Sequence, residues 1–216
     1  MEYKAVLFDA DGTLLDSWKR MSAGHNAVFK SCQLPPPCKV EIIEHFGPPY
    51  ERYYHERGVN LSRDEIFEIY REASKSVPVS AFDDVHWALE KFHALGLRLG
   101  IVSGQCPQII RDSLNGCVHY VGIIVGRVEH KVHELRSVCK SEGWSPEEVL
   151  YVGDFADDMK AGRESGVVPV GITRGESLED PEVHHTAQIL MDAGASATVF
   201  NLYELERLIQ LRLRYR

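Results

Sequence analysis

Two carboxylates one residue apart, Asp9 and Asp11, follow directly on the apolar run Val6-Leu7-Phe8 and precede Gly12-Thr13. Acids at i and i+2 astride a sharp turn can take different roles, one as an anion and the other as an acid and base. Gly12 permits the turn, and an Asx-type turn at a strand end is the purely structural alternative for the same residues. A second acidic group, Asp154 with Asp157 and Asp158, follows the run Val149-Leu150-Tyr151-Val152 and Gly153. A hydroxyl, Ser103, followed by Gly104, ends the run Leu99-Gly100-Ile101-Val102. A parallel sheet brings the C-terminal ends of its strands to one edge, so these three groups converge if the three runs are neighbouring strands.

The elements that must position them alternate along the chain. After Asp16 the spacing becomes helical, with Trp18, Met21, His25, Val28 and Phe29 on one face until Leu34-Pro35-Pro36-Pro37. Further helical stretches are expected over residues 40–46, 50–57 and 63–76, with Gly47-Pro48-Pro49 between the first two. Four helices are too many for an ordinary strand crossover, so residues 17–79 read as an all-helical domain inserted into an α/β domain of residues 1–16 and 80–216. From residue 85 the pattern alternates: helix 85–95 ended by Gly96, strand 97–102, helix 107–114, strand 120–125, helix 132–142, strand 149–152, helix 159–164 and strand 167–171. Residues 197–200 read as a late strand or turn, and 202–213 as a closing helix with a basic end.

The stretch Asp9-Ala10-Asp11-Gly12-Thr13-Leu14 after an apolar run resembles the first motif of the haloacid dehalogenase-like (HAD) phosphohydrolase superfamily. Leu99–Gly104 resembles its second motif, Lys131 the lysine of its third, and Val149–Asp158 its fourth, of the form Gly-Asp-x-x-x-Asp. The resemblance covers nearly the whole chain in motif order, although about a dozen residues carry it. It implies a Rossmann-like parallel sheet flanked by helices, with the helical insertion as a cap like that of the phosphoglycolate phosphatase and β-phosphoglucomutase branch. It further implies Asp9 as the nucleophile toward phosphorus and Asp11 as acid and base. Ser103 and the Gly104 N–H would hold a phosphate oxygen, and Lys131 would offset the phosphate charge. Asp9, Asp154 and the main-chain carbonyl of Asp11 would be ligands of Mg²⁺, with Asp158 a ligand or the support of one. The acid at Asp11 favours phosphatases and phosphomutases over dehalogenases and P-type ATPases.

Two departures accompany the match. Lys131 is followed by Val132-His133-Glu134 where many relatives have Lys-Pro-x-Pro, which makes Lys140 the fallback lysine, and Phe155 stands where Ser or Thr is frequent. Asp157 has an alternative role as an acid favoured by a helix N-terminus. In the cap, Arg20, Tyr50 and Arg52 are candidates to touch the leaving group, against a plain connector with solvated charges.

Composition bounds what remains. The 216 residues are 44% apolar, enough for a substantial core, and 24 basic against 32 acidic residues give a net charge of -8. That balance repels nucleic acid and anionic membranes but admits a small anionic substrate beside a bound cation. The five cysteines, Cys32, Cys38, Cys106, Cys117 and Cys139, form no CxxC pair, and reduced thiols in the cytoplasm are expected. Neither His184-His185 nor Cys32 with Cys38 makes a metal set. No leader is expected, and no apolar run approaches the roughly 20 residues of a membrane span. The reading is thus a Mg²⁺-dependent hydrolase of small phosphomonoesters, monomeric or homodimeric. A sugar phosphomutase is the alternative within the resemblance, and a binding module without turnover the alternative outside it; a receiver domain is shorter and lacks the insertion.

Overall fold

The computed structural model describes residues 3–214 and the side chains of residues 3–211. Met1 and Glu2, and the basic end expected for the closing helix, lie outside that description. In chain order the elements are β1 (Ala5–Phe8), β2 (Leu15–Asp16), α1 (Trp18–Ser31), α2 (Lys39–His45), α3 (Tyr50–His55), α4 (Arg63–Ser74), β3 (Ser80–Ala81) and α5 (Val85–Ala94). They continue with β4 (Arg98–Val102), α6 (Pro107–Ser113), β5 (Ile123–Val125), α7 (Lys131–Glu142), β6 (Val149–Gly153) and α8 (Ala156–Ser165). The chain closes with β7 (Val168–Ile172), α9 (Pro181–Asp192), β8 (Ala197–Val199) and α10 (Leu202–Arg214).

Six of the strands form one parallel sheet in the order β5-β4-β1-β6-β7-β8. β1 is central, in register with β4 through Phe8 opposite Ile101 and with β6 through Phe8 opposite Val152. The ends of β1, β4 and β6 are therefore neighbours, at the place where the strand order reverses: the chain runs from β1 out to β4 and β5 and then crosses back to β6. Strand periodicity sends Val6, Phe8, Leu150 and Val152 to one face, where α5, α6 and α10 cover them. Ala5, Leu7, Val149 and Tyr151 go to the other, under α7 and α8. Both faces are buried, which is why these strands read as unbroken apolar runs.

Helices α1 to α4 form the cap. Its own apolar cluster includes Val28 and Phe29 of α1, Ile42 of α2, Tyr53 and Tyr54 of α3 and Ile66 of α4. Ser62 opens α4 with a reciprocal capping box: its hydroxyl accepts from the Glu65 N–H, and Glu65 accepts from the Ser62 N–H at 2.8 Å. β2 and β3 pair antiparallel, Leu15 opposite Ala81, and so zip together the two chain passages between core and cap. Two residues per strand is too short a run for any periodicity to announce. Helix α9 was not among the sequence expectations either, although Asp180 caps it by accepting from the Glu182 N–H at 2.9 Å and Pro181 occupies its first turn. The strand expected over residues 120–125 is shorter, because its pairing with β4 begins only at Ile123 and Val118–Tyr120 forms a 3₁₀ turn.

Below the ribbon, Arg174 at the exit of β7 holds three segments together. Its guanidinium donates to both Asp84 carboxylate oxygens at 2.8 Å and to the Thr13 carbonyl at 3.0 Å, and it stacks 4.1 Å from the Phe82 ring centroid. Asp84 also accepts from the Leu202 N–H that opens α10, at 2.8 Å. Removing the guanidinium leaves a buried carboxylate uncompensated, so Arg174→Met is expected to lower the unfolding free energy by about 3–5 kcal/mol. Arg98, whose ion pair to Glu142 is long at 3.8 Å and 60% exposed on the arginine side, is the control. Urea titrations of both variants check this; Arg98→Met should stay within about 0.5 kcal/mol of wild type, and equal losses would contradict the assignment.

Candidate active site

The site is built where β1, β4 and β6 end. Asp9 extends the β1–β6 ladder, its N–H donating to the Val152 carbonyl at 2.8 Å, and the chain then turns back on itself. The Ala10 carbonyl accepts from the N–H groups of Leu14 and Leu15, at 2.9 and 2.8 Å, and Gly12 donates to the Leu15 carbonyl at 2.9 Å. Gly12 has φ +70°, and a Cβ there would lie 1.9 Å from Asp154 Oδ2. Both backbone handedness and the adjacent carboxylate therefore require glycine at this position. Thr13, in the same turn, donates from its hydroxyl to Asp154 Oδ1 at 3.1 Å, linking the two acidic motifs.

One carboxylate oxygen from each of Asp9, Asp154 and Asp158 lies within 4.8 Å of the others, and all three residues are buried. Lys131, the first residue of α7 and also buried, sends Nζ to Asp9 Oδ1 at 2.9 Å and to Asp158 Oδ1. The hydroxyl of Tyr151 lies 3.0 Å from Asp158 Oδ1, and the Phe155 N–H donates to Asp158 Oδ2 at 3.0 Å. Both oxygens of Asp158 are thus occupied by protein donors. By contrast, Asp9 Oδ2 and Asp154 Oδ2 accept no hydrogen bond from the described residues. Three buried carboxylates face one ammonium, and for Asp9 and Asp154 burial together with this crowding shows in their acidities. Burial, opposed by Lys131 and reinforced by Asp158 and Asp11, pushes Asp9 up to about 7. Burial, with Asp158 and Asp9 beside it, raises Asp154 well above the usual carboxylate range. For Lys131, burial works against the charge, but the Asp158 and Asp9 carboxylates outweigh it and hold the ammonium well above its ordinary value.

Such a set fits a hard divalent cation: carboxylate oxygens of Asp9 and Asp154 with acceptor capacity left over, excess negative charge in the pocket, and oxygen donors only. The donors for an anion are here as well. Ser103 is buried, its hydroxyl oxygen accepts from the Gln105 N–H at 3.2 Å, and its own proton has no acceptor among the described residues. The Gly104 N–H likewise has none, and Lys131 spends two of its three N–H groups on Asp9 and Asp158.

Of the other residues singled out in the sequence, Tyr50 reaches the site from the cap, and Arg20 is close enough for its charge to act on Asp11. Tyr50 Oη would lie 3.6 Å from a Cβ on Gly104, and Lys131, Asp157, Asp9 and Asp158 all act on its hydroxyl. Arg20 acts on Asp11 and on Tyr70 of α4. Asp157 stands beside Gly47, whose Cβ would be 3.0 Å from its Oδ1, and is outside the cluster of three acids. Arg52 is elsewhere, in an exposed pair with Glu56, and Lys140 is exposed on α7. One group was missed: Gln105, whose Nε2 lies 2.9 and 3.1 Å from the two carboxylate oxygens of Asp11. No side-chain type or spacing marks a lone glutamine two residues past a strand end. Asp11 itself is raised by burial, against the hydrogen bonds of Ser17 and Gln105.

A family model described as haloacid dehalogenase-like hydrolase matches residues 6–172. A pyrophosphatase PpaX from Bacillus velezensis is 28% identical over 186 residues, covering 78% of this chain and 82% of that protein. A phosphoglycolate phosphatase from Salmonella typhimurium is 26% identical over 221 residues, covering 83% and 87%. Among solved structures, a haloacid dehalogenase-like family hydrolase from Streptococcus pneumoniae superposes with a TM-score of 0.73 at 25% identity, covering 96% of this chain and 99% of that one. With its three acids, lysine and hydroxyl gathered at the end of the central strand and the family match spanning most of its length, this chain belongs to the haloacid dehalogenase-like hydrolases.

Proposed function

We propose that this protein is a Mg²⁺-dependent phosphatase of small phosphomonoesters, of the phosphoglycolate or sugar-phosphate kind, working through an aspartyl-phosphate on Asp9. The observation that carries the reading is the bridge of Lys131 between Asp9 and Asp158 beside Asp154. An ammonium fixed on one oxygen of Asp9 leaves the other free of protein donors, where a bond to phosphorus can form. Asp9, Asp154 and the main-chain carbonyl of Asp11 would hold the cation, while Asp158, with both oxygens taken, orients Lys131. When bound, Mg²⁺ supplies the positive charge that lets a carboxylate approach a phosphate dianion.

The chain's own groups do the rest. The Ser103 hydroxyl, the Gly104 N–H and the third N–H of Lys131 are donors suited to phosphate oxygens, and their charge and dipoles favour the trigonal phosphoryl group as it transfers. Asp11 gives its proton to the departing oxygen and later takes one from the water that cleaves the acyl phosphate. The cap, residues 17–79 as we divide the chain from the core of 1–16 and 80–216, excludes bulk water during both steps. On the cap side Tyr50 stands beside Gly104 and the charge of Arg20 acts on Asp11, which suits a small polar leaving group rather than a folded protein. The net charge of -8 argues against nucleic acid. Among the described residues no helix is long and apolar enough to cross a membrane. A cytoplasmic metabolite, met by a monomer or homodimer, completes the reading.

A panel of small phosphomonoesters assayed for inorganic phosphate, with and without Mg²⁺, tests it. Wild type is expected to release phosphate only with the cation, and Asp9→Asn to lose several orders of magnitude; product that keeps its phosphate would favour a mutase instead. The cation can also be read without turnover. With its carboxyl raised from 3.8 to about 7 by burial, metal-free folded protein keeps a proton on Asp9 that the unfolded chain releases. The stability tied to Asp9 is therefore present below 3.8 and lost as pH rises through about 7. Mg²⁺ binds the ionised form, so its increase in Tm should be larger near about pH 8 than near about pH 5. A shift equal at both pH values, measured by thermal denaturation with and without chelator, would remove Asp9 from the cation site.

A further inference from the structure

We infer that Gln105 is the positioning residue for Asp11, holding the carboxyl in the rotamer from which it protonates the leaving group. The inference rests on the acid–base reading of Asp11 and adds to it the group that aims the acid.

The case begins with how tightly Gln105 is itself held. Its N–H donates to Ser103 Oγ at 3.2 Å, and its carbonyl accepts from the Arg127 N–H at 3.0 Å. Gly126 lets the two loops come this close, since a Cβ there would lie 2.6 Å from the Gln105 carbonyl oxygen. The side chain is fixed as well. Oε1 accepts from the Cys106 N–H at 2.9 Å, which leaves Nε2 to face Asp11. Flipping the amide would set Oε1 against a carboxylate and an NH₂ against an N–H, losing the interactions at both ends. The donor that Asp11 meets is therefore determined by the loop that also carries Ser103 and Gly104.

That donor spans both oxygens, at 3.1 Å to Oδ1 and 2.9 Å to Oδ2. In the first half-reaction a bond forms between an Asp9 oxygen and phosphorus while the phosphorus–oxygen ester bond breaks. The electron pair of that bond stays on the leaving oxygen, which takes the proton of Asp11 and departs as the alcohol, leaving Asp11 a carboxylate. Gln105 Nε2 donates more strongly to that carboxylate than to the acid it came from, so the clamp tightens as the proton leaves. Ser17 stands on the other side of the same turn, its Oγ accepting from the Gly12 N–H at 3.2 Å. Asp11 is thus held by the phosphate-binding loop rather than by its own turn alone, and a substrate seated on Ser103 and Gly104 meets an acid already aimed.

The test separates aiming the acid from binding substrate. Gln105→Ala and Gln105→Glu are compared with wild type for kcat/KM on p-nitrophenyl phosphate, whose leaving group departs without a proton. The second substrate is an alkyl ester that needs one, phosphoglycolate or β-glycerol phosphate, whichever wild type turns over faster. Because kcat/KM reports the steps up to phosphoryl transfer to Asp9, the later role of Asp11 as a base does not enter. The loss on the alkyl ester is expected to be about 10- to 100-fold, and at least about tenfold greater than the loss on the aryl ester. Gln105→Glu keeps the shape of the side chain and its acceptor toward Cys106 but turns a second acceptor toward Asp11 in place of the donor, so it gives the answer if alanine disturbs the loop. Equal losses on the two esters in both variants, or no loss on either, overturn the inference. Asp11→Asn, run alongside, distinguishes the two levels. If it too loses both esters equally, the acid–base reading of Asp11 fails; if it loses the alkyl ester selectively and the Gln105 variants do not, only Gln105 is excluded.

Discussion

The structure depends on one buried cation. Lys131 Nζ sits between Asp9 and Asp158, with Asp154 beside them, and no other ammonium or guanidinium among the described residues bonds to these three carboxylates. Carboxylates gathered this way in a low-dielectric setting repel one another strongly, and the lysine offsets part of that repulsion by direct contact with two of them. Lys131 can be there because α7 begins with it. The side chain leaves the helix at its first turn and reaches back over the end of β1, while Leu135, Val138 and Cys139 of the same helix pack on the sheet. Packing far from the site thereby sets where the charge lies.

Much of this was written in the sequence, and the reason is geometric. Strands buried on both faces make unbroken apolar runs, and the polar residue that ends each run is conspicuous; Asp9, Ser103 and Asp154 were visible for that reason. Their meeting followed from a parallel sheet with β1 between β4 and β6. Lys131 was harder, because the residues after it depart from the usual pattern and only its place before a helix and its distance from the acidic motif singled it out. What the sequence hid were contacts between segments far apart in the chain and made by ordinary residues. Arg174 to Asp84 and Thr13, Gln105 to Asp11 and the two-residue ribbon of β2 and β3 have no local signature. Arg52 and Arg20 looked equally eligible in sequence, and helix phase, which depends on where each helix begins, put one in an exposed pair and the other near Asp11.

The cap has a different kind of interior. His25 is fully buried and surrounded by Phe46, Tyr53, Tyr54 and Tyr70 at centroid distances of 4.7 to 5.8 Å. Its Nδ1 lies 2.9 Å from the Tyr54 hydroxyl, and burial holds the ring neutral by lowering it to about 3. A rigid aromatic block of this sort loses little rotamer entropy when it closes on a ligand. Tyr50, tilted 5.1 Å from Phe46, extends this block toward Gly104, so the side chain that the cap turns to the site is backed by packing rather than by loop.

Core and cap meet at the residue that departs most from the expected motif. Phe155 follows Asp154 where a hydroxyl residue is frequent, and its ring packs into the cap cluster, edge-on to Phe46 at 6.3 Å. The same ring belongs to the cluster in which Ile43 of α2 packs on Met159, Ile189 and Leu190. Meanwhile its N–H holds Asp158 Oδ2, and Asp158 in turn holds Lys131. A serine or threonine could make the backbone contact but not the apolar one. With phenylalanine, the peptide between Asp154 and α8 is fixed from the cap side as well as from the core. The position of the cap and the position of the lysine that balances the acids are therefore two readings of one residue's conformation.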